Sequence, residues 1–204
     1  SRLNTPPKRS ERTRPMTPTQ DRMPPLSPEA WSEEQRRYAQ PIIDGPRGAL
    51  ISPFVPLLRS PELMDHTQRL GEYLRYRSAI GLRLTELAIL VTARQWTQQV
   101  EWAIHAPIAL REGLSQATVD AVAQGRRPDA MPEDEAVVHD FCIELHQQRQ
   151  VSDATWARAQ QLLGDQGVMD LIGINGYYSL LSMVMNAAST TVPASTAQPL
   201  APLG

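Results

Sequence analysis

The chain has 204 residues, 41% of them hydrophobic and 21% charged, with a formal net charge of −2. That is the length and composition of about one globular domain, not of a disordered or fibrous chain. The charge leaves no overall basic field for nucleic acid or an anionic membrane, and the single cysteine excludes an intramolecular disulfide, a CxxC redox pair and a cysteine-rich zinc site.

Residues 1–30 hold seven of the eighteen prolines and six of the twenty basic residues, against three acids. Such a segment has little apolar surface to bury, so a disordered Pro/Arg-rich leader is expected there, with Met16 and Met23 as candidate true starts. Residues 31–188 form the expected helical domain, with 14 Arg, 19 acids and no Lys, hence a local charge of −5. Residues 189–204 carry no charge, are rich in Ser, Thr, Ala and Pro, and read as a second disordered tail. No run approaches the roughly eighteen apolar residues of a membrane span, and no apolar leader is seen. A cytoplasmic protein with neither membrane nor nucleic acid as partner is expected.

In chain order, Ser27-Pro28-Glu29 has the form of an N-cap, a first-position proline and a first-turn acid, predicting a helix that ends near Gln40, before Pro41. Residues 45–60 read as a loop with a short helical turn at 55–59. Pro61 opens a longer helix to about Arg77, with Leu63, Leu70 and Leu74 as its apolar face. Residues 84–96 are almost all apolar, with Glu86 and Arg94 the charged exceptions, as expected of a central buried helix. Helices are then predicted over 99–112, 116–123, 132–150 and 153–163, each stopped by Gly or a polar turn, and a nearly all-apolar helix over 168–187. No convincing strand alternation occurs, so the fold class is all-α.

Glu86 stands alone among apolar neighbours, where a carboxylate must be paired, hydrogen-bonded or protonated. It is either a structural carboxylate paired with an arginine or a helix end, or a functional one. Glu101 and His105 are four apart, hence on one helical face, and Gln98 joins that face. Such a pair is common on ordinary helix surfaces. Here Pro107 frees the carbonyl of Ala103, which could orient the imidazole, and Trp96 and Trp102 could wall a small planar ligand. His139, Cys142 and His146, with Glu135 a turn earlier, mimic metal-ligand spacing. They are interleaved with Val138, Phe141 and Leu145 as in a core stripe, and no metal is assigned to them. His66 is isolated and has no role.

Residues Leu84 to His105, the Gly113 break and the run Gly176-Tyr177-Tyr178-Ser179-Leu180-Leu181-Ser182-Met183-Val184-Met185-Asn186-Ala187 together resemble the carboxymuconolactone decarboxylase family, related to alkylhydroperoxidase D. The likeness spans roughly Ile51 to Ala187. Redox members of that superfamily carry a glutamate, eleven residues, a CxxC pair, three residues and a histidine. Here the glutamate is Glu86 and the histidine His105, but the cysteine positions hold Gln98 and Glu101. The resemblance is therefore to the cysteine-less decarboxylase branch and not to a thiol peroxidase. It implies an alkylhydroperoxidase D-like helical bundle, an obligate homo-oligomer (trimer or hexamer), no bound cofactor, and carbon dioxide loss from a small carboxylated lactone. On that reading His105 donates the proton, Glu101 tunes it, Glu86 orients it and Gln98 holds a substrate carbonyl. Because two carboxylates repel an anionic substrate, an arginine must enter the site, Arg59 or Arg94. The same residues would serve an isomerase or lyase acting on another small carbonyl acid, and a non-catalytic ligand-binding or structural oligomer is the alternative.

Overall fold

The computed structural model describes residues 20–192 and 200–203. Within them the chain forms eight α-helices and no strand: α1 (Glu33–Asp44), α2 (Phe54–Leu57), α3 (Pro61–Tyr76), α4 (Leu82–Gln95), α5 (Gln99–Arg111), α6 (Gln116–Ala123), α7 (Glu133–Gln148) and α8 (Asp153–Ala188). The all-α expectation holds.

α4 is the axis of the bundle. Every residue from Leu84 to Arg94 is buried, and the helix packs against α3, α5, α6, α7 and α8. A helix enclosed on all sides has no polar face to give to water, which explains the apolar run in the sequence. Arg83, at its start, pairs with Asp134 and Glu135 at the start of α7. Asp170 of α8 accepts from the backbone N–H of Ala79 (2.8 Å) and from the Tyr73 hydroxyl (3.0 Å), fixing the α3–α4 turn.

Three sequence expectations change. The first helix does not begin at Ser27: Pro28–Ala30 is a single 3-10 turn, and α1 is opened by Ser32 through a reciprocal capping box with Gln35. α1 also runs through Pro41 instead of stopping before it. On α3, Leu63 and Leu70 are nearly half exposed, whereas Met64, Gln68, Gly71 and Leu74 face inward. The buried stripe is thus one residue out of phase with Leu63 and Leu70, though it keeps Leu74, because α3 presents its small residue, Gly71, to α8.

A methyl group at Gly71 would overlap the Oη and Cζ atoms of Tyr177, a buried residue of α8. Tyr177 is itself wedged edge-to-face against Tyr178, with ring centroids 5.0 Å apart, so it has little freedom to withdraw. Gly71→Ala is expected to lower unfolding stability by about 1–3 kcal/mol, as overpacked cores do. A urea midpoint equal to that of the wild type would show that Tyr177 yields without cost.

Residues 153–188 join the two predicted helices into one element broken at Gly164, whose φ of 68° is the left-handed region that glycine tolerates. By length and composition α8 qualifies as a membrane span, contrary to the reading that no segment does. However, 56% of its most apolar stretch is buried in the protein's own core.

The expected disordered leader falls in residues 1–19, outside the described residues, and in residues 20–30, which lie ordered against the body. Arg22 donates its backbone N–H to Ala188 O (2.8 Å), Arg59 Nη2 donates to Pro24 O (2.7 Å) and Trp31 Nε1 to Leu26 O (3.1 Å). Prolines bring few N–H groups needing partners, so a Pro-rich strap can be held by donors acting on its carbonyls. Of the expected second tail, residues 193–199 and Gly204 lie outside the described residues. Leu200, by contrast, is buried and exchanges two 2.7 Å hydrogen bonds with the Gln99 amide.

Candidate functional site

α4 and α5 meet through a tight turn in which Thr97 takes φ 47°, with its hydroxyl accepting from Arg94 Nη2 at 2.8 Å. Gln98 then caps α5: its Oε1 accepts from the N–H groups of Val100 (2.6 Å) and Glu101 (3.1 Å). This turn lays the face of α5 that carries Glu101 and His105 against α4, where Glu86 waits one layer deeper.

The three residues converge. His105 Nδ1 is 2.7 Å from Glu86 Oε2, and His105 Nε2 is 3.3 Å from Glu101 Oε2. All three are at most 3% exposed. The partner that orients the imidazole is therefore Glu86, not the carbonyl freed by Pro107. Tyr178 closes the site from α8, edge-on to the imidazole with centroids 5.3 Å apart.

Burial, the largest single influence, works against a charged imidazole, but Glu101 and Glu86 together outweigh it and push the pKa of His105 up to about 9. At neutral pH the histidine is an imidazolium held between two carboxylates. Glu101 Oε1 is buried and has no hydrogen-bond partner among the described residues. A buried acceptor left open in this way is where a ligand hydroxyl or a water finds its place.

His105 and Glu101 border a hollow of about 30 Å³, walled also by Arg47, Arg75, Phe54 and Tyr178. That is room for one or two waters. A second hollow of about 220 Å³, lined by residues such as Ile42, Gln68, Glu72 and Tyr76, shares Arg47 with the first.

The structure does not bring the other five candidates to this hollow. Gln98 has both ends occupied, its Oε1 by the helix cap and its Nε2 donating to Asn186 Oδ1 (2.9 Å). Trp96 donates from Nε1 to Ser179 Oγ (3.1 Å), and Trp102 is a buried core residue. Arg94 is buried and donates to Ala123 O (3.1 Å) and Ala201 O (2.6 Å), joining α4 to the α6 end and the C-terminal residues. Arg59 holds the N-terminal strap. The arginines that do reach the hollow are Arg47 and Arg75, neither of which the sequence singled out. Arg47 lies in the loop Gly45-Pro46-Arg47-Gly48, where only tertiary packing decides what it faces.

The residues with metal-like spacing disperse. Glu135 pairs with Arg83, His139 Nδ1 lies 3.5 Å from Asp140 Oδ1, and His146 Nε2 is 3.1 Å from Thr92 Oγ1. Cys142 accepts from Asn175 Nδ2 (3.2 Å), and burial pushes its thiol up to about 12. No cluster of metal-ligating side chains is present among the described residues.

Residues 61–139 match the model of the carboxymuconolactone decarboxylase family, a shorter stretch than the Ile51–Ala187 likeness but one that includes Glu86, Glu101 and His105. Among solved structures the chain is similar to an alkylhydroperoxidase AhpD core, an uncharacterized peroxidase-related protein from Ralstonia eutropha JMP134 (15% identity, TM-score 0.69, 85% of this chain and 92% of that one). It is also similar to an uncharacterized peroxidase-related protein from Silicibacter sp. TM1040 (13% identity, TM-score 0.68, 85% and 91%). A third is a protein of unknown function from Agrobacterium tumefaciens (13% identity, TM-score 0.61, 68% and 96%). At such identities the likeness shows the fold, an AhpD-like helical bundle. No curated protein matches.

Proposed function

We propose that this chain, with carboxymuconolactone decarboxylase family sequence over residues 61–139 on an AhpD-like fold, is a cofactor-independent decarboxylase acting on a small carboxylated lactone or a related carbonyl acid. The observation that carries the reading is a buried histidine with a carboxyl group at each ring nitrogen, bordering a hollow. Such a group is built to hold and give a proton.

Cleavage of the carbon–carbon bond to the carboxylate leaves its electron pair on the substrate carbon, delocalised into the carbonyl as an enolate, while carbon dioxide departs. His105 Nε2 delivers its proton to that carbon, and a proton from water restores the imidazolium. Glu86 holds the ring through Nδ1–H and leaves Nε2 beside Glu101, which lines the hollow together with His105. Glu101, at 3.3 Å, stabilises the imidazolium before transfer and leaves its Oε1 free to receive a substrate or water hydrogen. Enclosure by Phe54 and Tyr178 restricts water, which disfavours the charged reactant more than the delocalised product.

Thiol peroxidase chemistry needs a thiolate and a resolving thiol. The two matching positions are Gln98 and Glu101, and the sequence's one cysteine, Cys142, is buried on α7. The small volume of the inner hollow favours one other reading, proton transfer on a smaller carbonyl acid without bond cleavage. A panel of small carboxylated lactones and keto acids, followed by ultraviolet absorbance, carbon dioxide release and solvent deuterium uptake, separates the two. Carbon dioxide from a lactone acid supports decarboxylation, deuterium uptake alone supports isomerisation, and silence throughout overturns both.

A further inference from the structure

We infer that Arg47 and Arg75 form an anion-binding wall facing His105, which seats an acid group that the substrate keeps through the reaction. This rests on the proposed reading of the site but concerns binding, which is measurable without turnover.

Both side chains line the inner hollow with Glu101 and His105. Arg47 Nη2 is buried and has no hydrogen-bond partner among the described residues, and neither arginine forms an ion pair among them. Other buried or partly buried arginines here are committed: Arg83 to two carboxylates, Arg94 to backbone carbonyls, Arg59 to the strap. A guanidinium nitrogen kept from water without a partner is costly unless something arrives to pair with it. Arg47 is also held in place, stacked 4.7 Å above the Phe54 ring, so its fork is preorganised for a planar carboxylate.

Charge balance points the same way. Glu86 and Glu101 with the His105 imidazolium leave one net negative charge, which repels an anion. Adding Arg47 and Arg75 makes the enclosure net positive by one, and a carboxylate neutralises it.

The seated group must be one that stays. A guanidinium on the departing carboxylate would stabilise the reactant more than the transition state and slow its loss. Arg47 is the residue shared by the two hollows. A ring-sized ligand paired with Arg47 gains the room that the inner hollow lacks only by extending past it into the second one. Glu72, on the outer side, repels the anion and favours its inner placement. Arg47 lies outside the stretch 61–139, so this specificity element is supplied by a loop beyond the family match.

The test is calorimetric titration of the full chain with 2-furoate and its neutral isostere 2-furamide. Furoate is expected to bind at least about tenfold more tightly than the amide, and Arg47→Gln and Arg75→Gln each to weaken it at least about tenfold. Arg47→Lys should recover part of the affinity but not the bidentate share. Thermal melts of Arg47→Gln should show no more than the small loss of its stacking on Phe54, because no hydrogen bond to Nη2 is lost. Equal affinities for acid and amide, no furoate binding, or furoate binding indifferent to both arginine variants would each overturn the inference. His105→Asn separates the two proposals: furoate binding that survives this change supports the anion wall even if no substrate is ever turned over.

Discussion

His105→Asn is expected to reduce turnover of a responsive substrate by at least about a hundredfold, the scale of losing a positioned general acid. The amide can donate one hydrogen bond to Glu86, but it cannot carry a transferable proton. The variant should also be less stable, since it leaves Glu86 and Glu101 buried without the cation between them. Removing one member of a buried ion cluster costs about 3–5 kcal/mol. Activity must therefore be read well below the melting temperature, with circular dichroism on the same samples. Adding Glu101→Gln to this variant removes one of the stranded carboxylates, so the double variant should regain stability but not turnover. That split separates a catalytic role from a structural one. Turnover within a few-fold of wild type in a folded His105→Asn protein would remove His105 from the mechanism.

The second large effect is a fall in stability as pH rises through neutrality. Folding moves the His105 pKa from an ordinary value of 6.5 to about 9, so the folded state holds one proton more than the unfolded state between those limits. The stabilisation is complete below about pH 6.5, declines as pH rises, and is gone above about pH 9. Its size is on the order of 3 kcal/mol, from the free energy per pKa unit. Burial holds His139 and His146 below the ordinary histidine range, so they act in the opposite sense, at or below pH 6.5. Cys142 adds to the fall only toward its ordinary value of 9.0 and beyond. Urea midpoints between pH 6.5 and 8.5 thus isolate His105. The wild type should lose stability across that window, and Glu86→Gln or Glu101→Gln should lose less, because each removes a carboxylate that raises the histidine pKa. A flat wild-type profile would contradict a protonated His105.

Together these expectations describe a site whose working group is also a keystone of the core. The imidazolium is stabilised by the same two carboxylates that would repel an anionic substrate, and on the proposed reading the positive charge that offsets them is that of Arg47 and Arg75, which line the hollow.

Local chemistry was enough to determine the helical character of the chain, the central place of residues 84–94 and the shared helical face of Glu101 and His105, whereas the meeting of Glu86 with them, a contact between two helices, was implied only by the family resemblance. Helical periodicity, glycine stops and the cost of an unpaired buried carboxylate all act within a few turns of backbone, and a one-dimensional pattern records them. The phase of α3, the passage of α1 through Pro41 and the ordering of residues 20–30 were decided by contacts across the fold: Gly71 against Tyr177, α1 against α3, Arg59 against the proline strap. The arginines show the difference most sharply. Arg59 and Arg94 have the same chemistry as Arg47 and Arg75, but which guanidinium meets backbone carbonyls and which meets a hollow depends on how distant segments pack, and long side chains on loops and helix ends carry no periodic signal of that choice.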